Sequence, residues 1–437
     1  MKNLKKTNKK GQAIRKDKQQ MEENVFYSKT CVAGSIKFAA EQPSIEDQQL
    51  LDSEKFSCFL ATILAARDRE VVAVNVTITP IKCKVYIAKN GPWSQKDKDF
   101  IKKVEKTLIK ISKDAPISNQ IYERDDVKEL YLATMKHCSR KLGHRLNKLR
   151  TDITNGMREM YIKSFLEYAQ NEGISMDDIF DDKKRPSMSS FCNEYYQVAK
   201  NDPNAPEVFL RHIKKVGSYV SHLTEIIDCA CKGKYKDLFS SIETNLLDSC
   251  EETQPISSWK NIVTKYISDE KYEDFKNACL ETREIKSRLE DIYGGIDEQL
   301  ESNNFNRTYL HAELNVLTKL MDIDKGSQGR KFIAVSKKCC YLCRLYIKFI
   351  QSKGHKFVIS RSHNKLYHKW QLPIPFRKDF IPHASFYLDE IIENEINHLT
   401  NLRATSDSDP ESVDSDENRD YKKIRFVRKM ELSEEDL

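Results

Sequence analysis

No part of the 437-residue sequence stays apolar for long. The longest such run, Cys58 to Ala66, falls far short of the roughly 20 residues a membrane helix needs, so no membrane association is expected. A secretory leader is not expected either, because the basic start runs into Met21-Glu22-Glu23-Asn24 instead of an apolar core. Without export, twelve scattered cysteines point to thiols and metal ligation in a reducing compartment, not to a disulfide framework. The expected location is therefore intracellular, in cytoplasm or nucleus. Charge imbalance is also missing over most of the chain. Residues 1–20 hold eight Lys/Arg and one acid, and the other 417 residues carry 65 of each sign. The net charge of +7 thus sits in the first residues, and attraction to a polyanion elsewhere has to come from local patches. No internal repeats are evident. A length of 437 residues leaves room for two or three domains.

In chain order, residues 1–24 read as a disordered, lysine-rich arm, a solvated tail first, with a nuclear-import signal or a polyanion contact at Lys5-Lys6 and Lys9-Lys10 as the alternative. Helical spacing of Phe56, Phe59, Leu60, Ile63 and Leu64 predicts a helix from Ser53 to Arg69. Two β-branched runs follow, Val71 to Thr79 and Cys83 to Lys89, broken by Pro80 and ended by Asn90-Gly91-Pro92. From 95 to 304 strand signals are lacking and helical periodicity dominates, so this region is expected to be all helical. His137, Cys138, His144, Cys229 and Cys231 lie within it. Their spacing is poor for a metal, and buried thiols and surface imidazoles are expected. Alternation then resumes, with helices expected over Tyr309–Met321, Cys340–Gln351 and Phe386–Leu402 and strands over Lys331–Ser336 and His355–Ser360. The acid-rich tail from Thr405 to Asp420 reads as disordered, and 421–437 continues it with a basic and then an acidic block.

The chemistry concentrates between Tyr309 and Lys348. His311-Ala312-Glu313 is followed, after one strand-like run, by Cys339-Cys340-Tyr341-Leu342-Cys343. One imidazole and two thiolates offer a zinc ion three protein ligands and leave a fourth position for water, as catalytic zinc sites do. Cys340 and Cys343, three apart at a helix start, share one face, and the free amides of that turn favour thiolate. Glu313 is not needed as a ligand and is free to carry protons. An H-x-E ahead of a C-x-x-C is the arrangement of zinc deaminases. The alternatives are a structural zinc site closed by Cys339, an unmetallated core, and, more distantly, a Cys–His nucleophile.

The C-terminal part resembles the cytidine deaminase-like superfamily, in particular its divergent OTT-type deaminase-like branch. The likeness lies in Val335 to Arg344, in Ser362-His363-Asn364-Lys365-Leu366-Tyr367, and in Trp370 with Leu372-Pro373. It is strong over residues 305–375 and faint over 50–94. The resemblance implies an α/β fold, a three-layer α-β-α sandwich. Residues 50–94 would supply its first helix and hairpin, 95–304 would be a helical insertion, and 305–404 would be the zinc-binding half. It also implies zinc ligands at His311, Cys340 and Cys343 and a proton shuttle at Glu313. Ser336 matches a residue that commonly lines the pocket, and Asn90 a substrate-contacting asparagine. Cys339 stands where the family usually has proline. His363 either faces substrate or caps the next turn.

Substrate class is suggested by a further absence. From Lys325 to Lys378, 54 residues contain fourteen Lys/Arg and no acid, with aromatics interleaved. Clustered cations attract phosphates and aromatic rings stack bases. The expected partner is therefore RNA or single-stranded DNA ahead of a free nucleotide. The expected reaction is hydrolytic deamination of a base, cytosine to uracil. The competing reading is an inert, zinc-stabilised module that binds nucleic acid, or a protein partner through the helical insertion. Glu313 favours the enzyme, since a structural site has no use for it.

Overall fold

The computed structural model describes residues 2–37, 49–78, 82–117, 120–323, 329–360 and 362–406. Expectations for the tail beyond 406 fall outside the described residues. Seven strands occur among those described: β1 (Val72–Ile78), β2 (Cys83–Lys89), β3 (Ile242–Leu247), β4 (Glu251–Ile256), β5 (Asn304–Tyr309), β6 (Lys331–Val335) and β7 (Phe357–Ile359). Five of them form one sheet in the order β3-β2-β1-β6-β7, and β4 pairs with β5 apart from it. β1 runs antiparallel to both β2 and β6, with Val72 opposite Lys89 and Ala73 opposite Val335. β3 is parallel to β2, and β7 is parallel to β6.

The two-residue period of the strands sorts their side chains between two cores. Val72, Val74, Val85, Ile87, Phe332 and Ala334 lie on one face, with the helices Asp52–Leu64, Gln95–Asp114 and Glu207–Cys231. Ala73, Tyr86, Ala88 and Ile333 lie on the other, with the helices Lys2–Ile36, Ala312–Ile323, Tyr341–Ser352 and Arg377–Ser406. The protein is thus mixed α/β, mostly helical, with helices on both faces of the sheet. Each fully buried Val, Ile or Phe contributes roughly 1.5–3 kcal/mol, so both faces are needed to hold the strands.

A third core is purely helical. Leu142, Leu146, Ile162, Phe165, Phe191 and Ile213 close it between helices Asp125–Asn155, Met160–Asn171, Arg185–Ala199 and Glu207–Cys231. Gly217 lets the last two of these touch. A Cβ there would sit 2.6 Å from the Asn193 amide nitrogen.

Two expectations are corrected. Residues 2–24 are helical, as part of a helix spanning Lys2–Ile36, where a disordered arm was expected. The far end of this helix is anchored by apolar burial, with Phe26, Tyr27, Cys31 and Val32 all inaccessible. The region 95–304 is not all helical, because it contains β3, β4 and the first residue of β5. β3 is half-buried along its whole length and takes its place through backbone pairing with β2. No described helix is long and apolar enough to cross a membrane.

Candidate metal centre

His311 is fixed from two sides. The Leu310 amide donates to Cys250 O at 3.0 Å and the Tyr309 amide to Lys369 O at 2.8 Å, which locks the chain between β4 and the Trp370 segment. His311 O then accepts from the Leu314 and Asn315 amides at 3.0 and 2.9 Å and so starts the helix Ala312–Ile323. Its ring is therefore presented at a helix N-terminus. The helix itself begins three residues later than its sequence pattern predicts, because Tyr309 belongs to β5.

The cysteines reach the same place from the end of β6. Cys340 is the N-cap of helix Tyr341–Ser352, with φ −79° and ψ 171°, and its Sγ accepts from the Cys343 amide at 3.4 Å. A thiol at that position meets the helix's free amides, which favour its anion. His311 Nδ1 lies 3.5 Å from Cys340 Sγ and 3.3 Å from Cys343 Sγ. All three donor atoms lie within 4.8 Å of one another, a group able to hold a metal ion. Cys339, one residue away, is not in this group; its carbonyl accepts from the His363 amide at 2.8 Å. His137, Cys138, His144, Cys229 and Cys231 form no such group among the described residues. The His137 ring instead stacks on Phe100 at 4.1 Å.

Burial raises the Cys340 thiol, but hydrogen bonds with Cys343 and His311 overcome it and hold Cys340 well below the usual range. Cys343, buried beside that thiolate, is held well above. Burial pushes His311 down, yet the Cys340 thiolate outweighs it and leaves the imidazole at about 9. Glu313 is 2 % exposed, and burial raises its carboxyl although His311 opposes the shift. Its Oε1 lies 4.0 Å from His311 Nδ1. A carboxyl beside the donors is placed to accept and return a proton.

Likeness to a known family is found over this stretch. Residues 310–374 match the model of a family described as OTT_1508-like deaminase. This segment is similar to that deaminase family. No curated protein and no solved structure matches the chain. The deaminase-like segment contains His311, Glu313, Cys340 and Cys343, and also Ser336 and His363.

The remaining candidate residues are placed less directly. Ser336 Oγ accepts from the Val72 amide at 3.0 Å, which ties the end of β6 to β1. Asn90 lies at the end of β2, outside the deaminase-like segment, and its amide is occupied. Oδ1 accepts from the Val71 amide at 2.8 Å and Nδ2 donates to Arg69 O at 3.1 Å. These are the bonds of a turn residue. His363 Nδ1 accepts from the Lys365 amide at 3.1 Å, the capping alternative.

Two neighbours of the donors were not singled out for roles by sequence. Trp370 Nε1 donates to Cys343 Sγ at 3.2 Å from a wholly buried ring. The half-exposed Tyr367 ring lies edge-on between two imidazoles, 6.1 Å from His311 and 5.9 Å from His363. Both residues stand in the stretch that carries the family likeness, but nothing in their spacing reveals which donor atom they would meet.

Proposed function

We propose that this protein is a zinc-dependent deaminase that hydrolyses an amino group from a nucleobase, cytosine to uracil, within single-stranded nucleic acid. The observation that carries the reading is the buried Glu313 carboxyl beside one imidazole and two sulfurs that converge inside a deaminase-family segment. The donor set suits zinc. Tetrahedral zinc, with sulfur at about 2.3 Å and nitrogen at about 2.1 Å, requires S–N separations of about 3.6 Å. The separations found are 3.5 and 3.3 Å. Sheet order supports the same reading, since β2-β1-β6-β7 with β1 antiparallel to its neighbours suits a cytidine deaminase-like domain.

Zinc bound by His311, Cys340 and Cys343 would bring the pKa of water from about 15.7 toward about 7 and so supply the nucleophile. Glu313 takes the proton released as oxygen attacks the amidine carbon. It passes that proton to the ring nitrogen, then carries the second proton, from the hydroxyl now on that carbon, to the departing amine as the C–N bond breaks. Cytosine and water thus become uracil and ammonia, with Glu313 returned to its starting state. The half-exposed Tyr367 gives an incoming base a ring to lie against.

The test is mass spectrometry of mixed-sequence RNA and DNA oligonucleotides after incubation with the zinc-loaded protein. A gain of one mass unit per converted base is expected. Glu313→Ala should keep zinc and lose turnover by at least about 100-fold, the scale of one acid–base catalyst. His311→Ala should lose both metal and turnover. Full turnover by Glu313→Ala would sink the assigned role.

A further inference from the structure

A run of contacts joins the helical region to the turn that carries the cysteines. Arg145, on helix Asp125–Asn155, donates through Nη1 to Lys215 O at 2.9 Å and Ser218 Oγ at 3.2 Å. Its guanidinium lies over the Tyr219 ring at 4.8 Å, which couples it to helix Glu207–Cys231. Lys141, one turn earlier, points its Nζ at Glu70 O, 3.4 Å away. Two residues on, Val72 exchanges hydrogen bonds with Ser336 at 2.8 and 3.0 Å. Lys337 and Lys338 follow Ser336 directly and lead into Cys339 and Cys340.

This seam gathers six cations. Lys148, Arg211, Lys215 and Lys338 are exposed, and Arg145 and Lys337 are half-buried. None of the six makes an ion pair within 4.0 Å among the described residues. Other cations in the chain do find acids: Arg124 holds both Asp114 and Asp126, and Lys89 both Glu70 and Asp97. The acids that border the seam include Glu70, Asp68, Asp152 and Glu207. Glu70 accepts from Lys89 and the Ala66 and Arg67 amides, Asp68 lies 3.9 Å from His144, Asp152 pairs with His212, and Glu207 is exposed one turn before Arg211. The crowding registers on its members. Lys215 is lowered by burial and then by Arg145, Arg211, Lys148 and Lys338. Like charges held together by rigid helices oppose folding, and a bound polyanion relieves them.

We propose that Arg145, Lys148, Arg211, Lys215, Lys337 and Lys338 form a phosphate-backbone site for single-stranded nucleic acid, by which the helical region feeds a strand to the Cys340 turn. The inference rests on the deaminase reading for its direction, since the site needs a reacting base beyond it, but its binding test does not. Free phosphate or a mononucleotide would engage only part of such a seam, whereas a strand can follow it from one helix to the other.

The experiment is fluorescence anisotropy with labelled single-stranded RNA and DNA, over a salt series, on the full chain. The site variant is Lys148→Gln/Arg211→Gln/Lys215→Gln, which changes only exposed side chains remote in sequence from the metal donors. A control variant, Lys96→Gln/Lys98→Gln/Lys102→Gln, removes the same charge from the exposed face of helix Gln95–Asp114. Wild-type affinity should fall steeply with salt. The site variant should bind about tenfold more weakly and with a slope of log affinity on log salt shallower by about 2, at about 0.7 per lost contact. The control should match wild type, and zinc content should not change. Equal affinity and slope in wild type and site variant, or equal losses in site and control variants, would overturn the proposal. If the site variant alone loses binding while the wild type deaminates nothing, the backbone site stands and the catalytic reading fails. If the wild type deaminates oligonucleotides while the site variant binds them unaltered, the catalytic reading stands and the backbone site fails.

Discussion

At the scale of single residues, the convergence of His311, Cys340 and Cys343 was legible because it is set by local geometry. Two cysteines three apart at a helix start must share a face, and an imidazole at another helix start needs only one tertiary contact to meet them. Trp370 was not legible in its role. Its bond to Cys343 Sγ spans 27 residues, and no pattern announces which sulfur an indole will find. Hydrogen bonds to metal ligands orient them and tune affinity, typically by 10–100-fold. Trp370→Phe should therefore weaken zinc binding by roughly tenfold or more in a chelator competition, with the far-ultraviolet circular dichroism retained. Unchanged zinc affinity would remove Trp370 from the ligand set's support. Lys141 carries a separate prediction. Burial, then Arg145 and Lys337, bring its ammonium down to about 7 from an ordinary 10.5. Below pH 7 it is charged both folded and unfolded, and the fold bears the whole cost of a buried charge. As pH rises past 7 the folded form sheds the proton while the unfolded form keeps it, so stability rises until about 10.5. Urea unfolding should show wild type gaining more between pH 6 and pH 9 than Lys141→Met. Equal gains would mean that Lys141 titrates normally.

At the scale of elements, sequence and structure part where backbone pairing overrides side-chain pattern. β1, β2 and β6 were readable because β-branched residues recur at every second position along them. β3 reads Ile-Glu-Thr-Asn-Leu-Leu and β4 Glu-Glu-Thr-Gln-Pro-Ile, with too few apolar residues in alternation to mark them. Both are held by edge pairing instead, and Pro255 is tolerated because β4 has a partner on one side only. The N-terminal helix misleads for the opposite reason, since lysines dominate its start and its buried apolar residues begin only at Phe26. Asn90 is ambiguous in sequence because a strand-end asparagine looks the same whether it faces a ligand or its own chain. Helix packing offers the cleanest element-scale test. Gly217→Ala drives a methyl group into the Asn193 backbone and should cost about 1–3 kcal/mol in urea unfolding. A neutral result would mean that the helices Arg185–Ala199 and Glu207–Cys231 are free to part.

At the scale of the whole molecule, a small two-faced sheet holds the donors, and a helical body between β2 and β3 borders them. The sequence announced that body's helicity but not its place, because helix periodicity says which face is apolar and nothing about which loop it will cover. Residues 141–145 against the 67–72 and 336–338 segments give it a use in the account, as the surface along which a strand reaches the site. All of this depends on the coordination that His311, Cys340 and Cys343 provide. X-ray absorption at the zinc edge of the purified, zinc-loaded protein measures that coordination directly. One zinc per chain is expected, with two sulfurs at about 2.3 Å and two nitrogen or oxygen neighbours at about 2.0–2.1 Å, one of them exchangeable solvent. Three sulfurs, a closed shell of four protein atoms, or no bound zinc would contradict it.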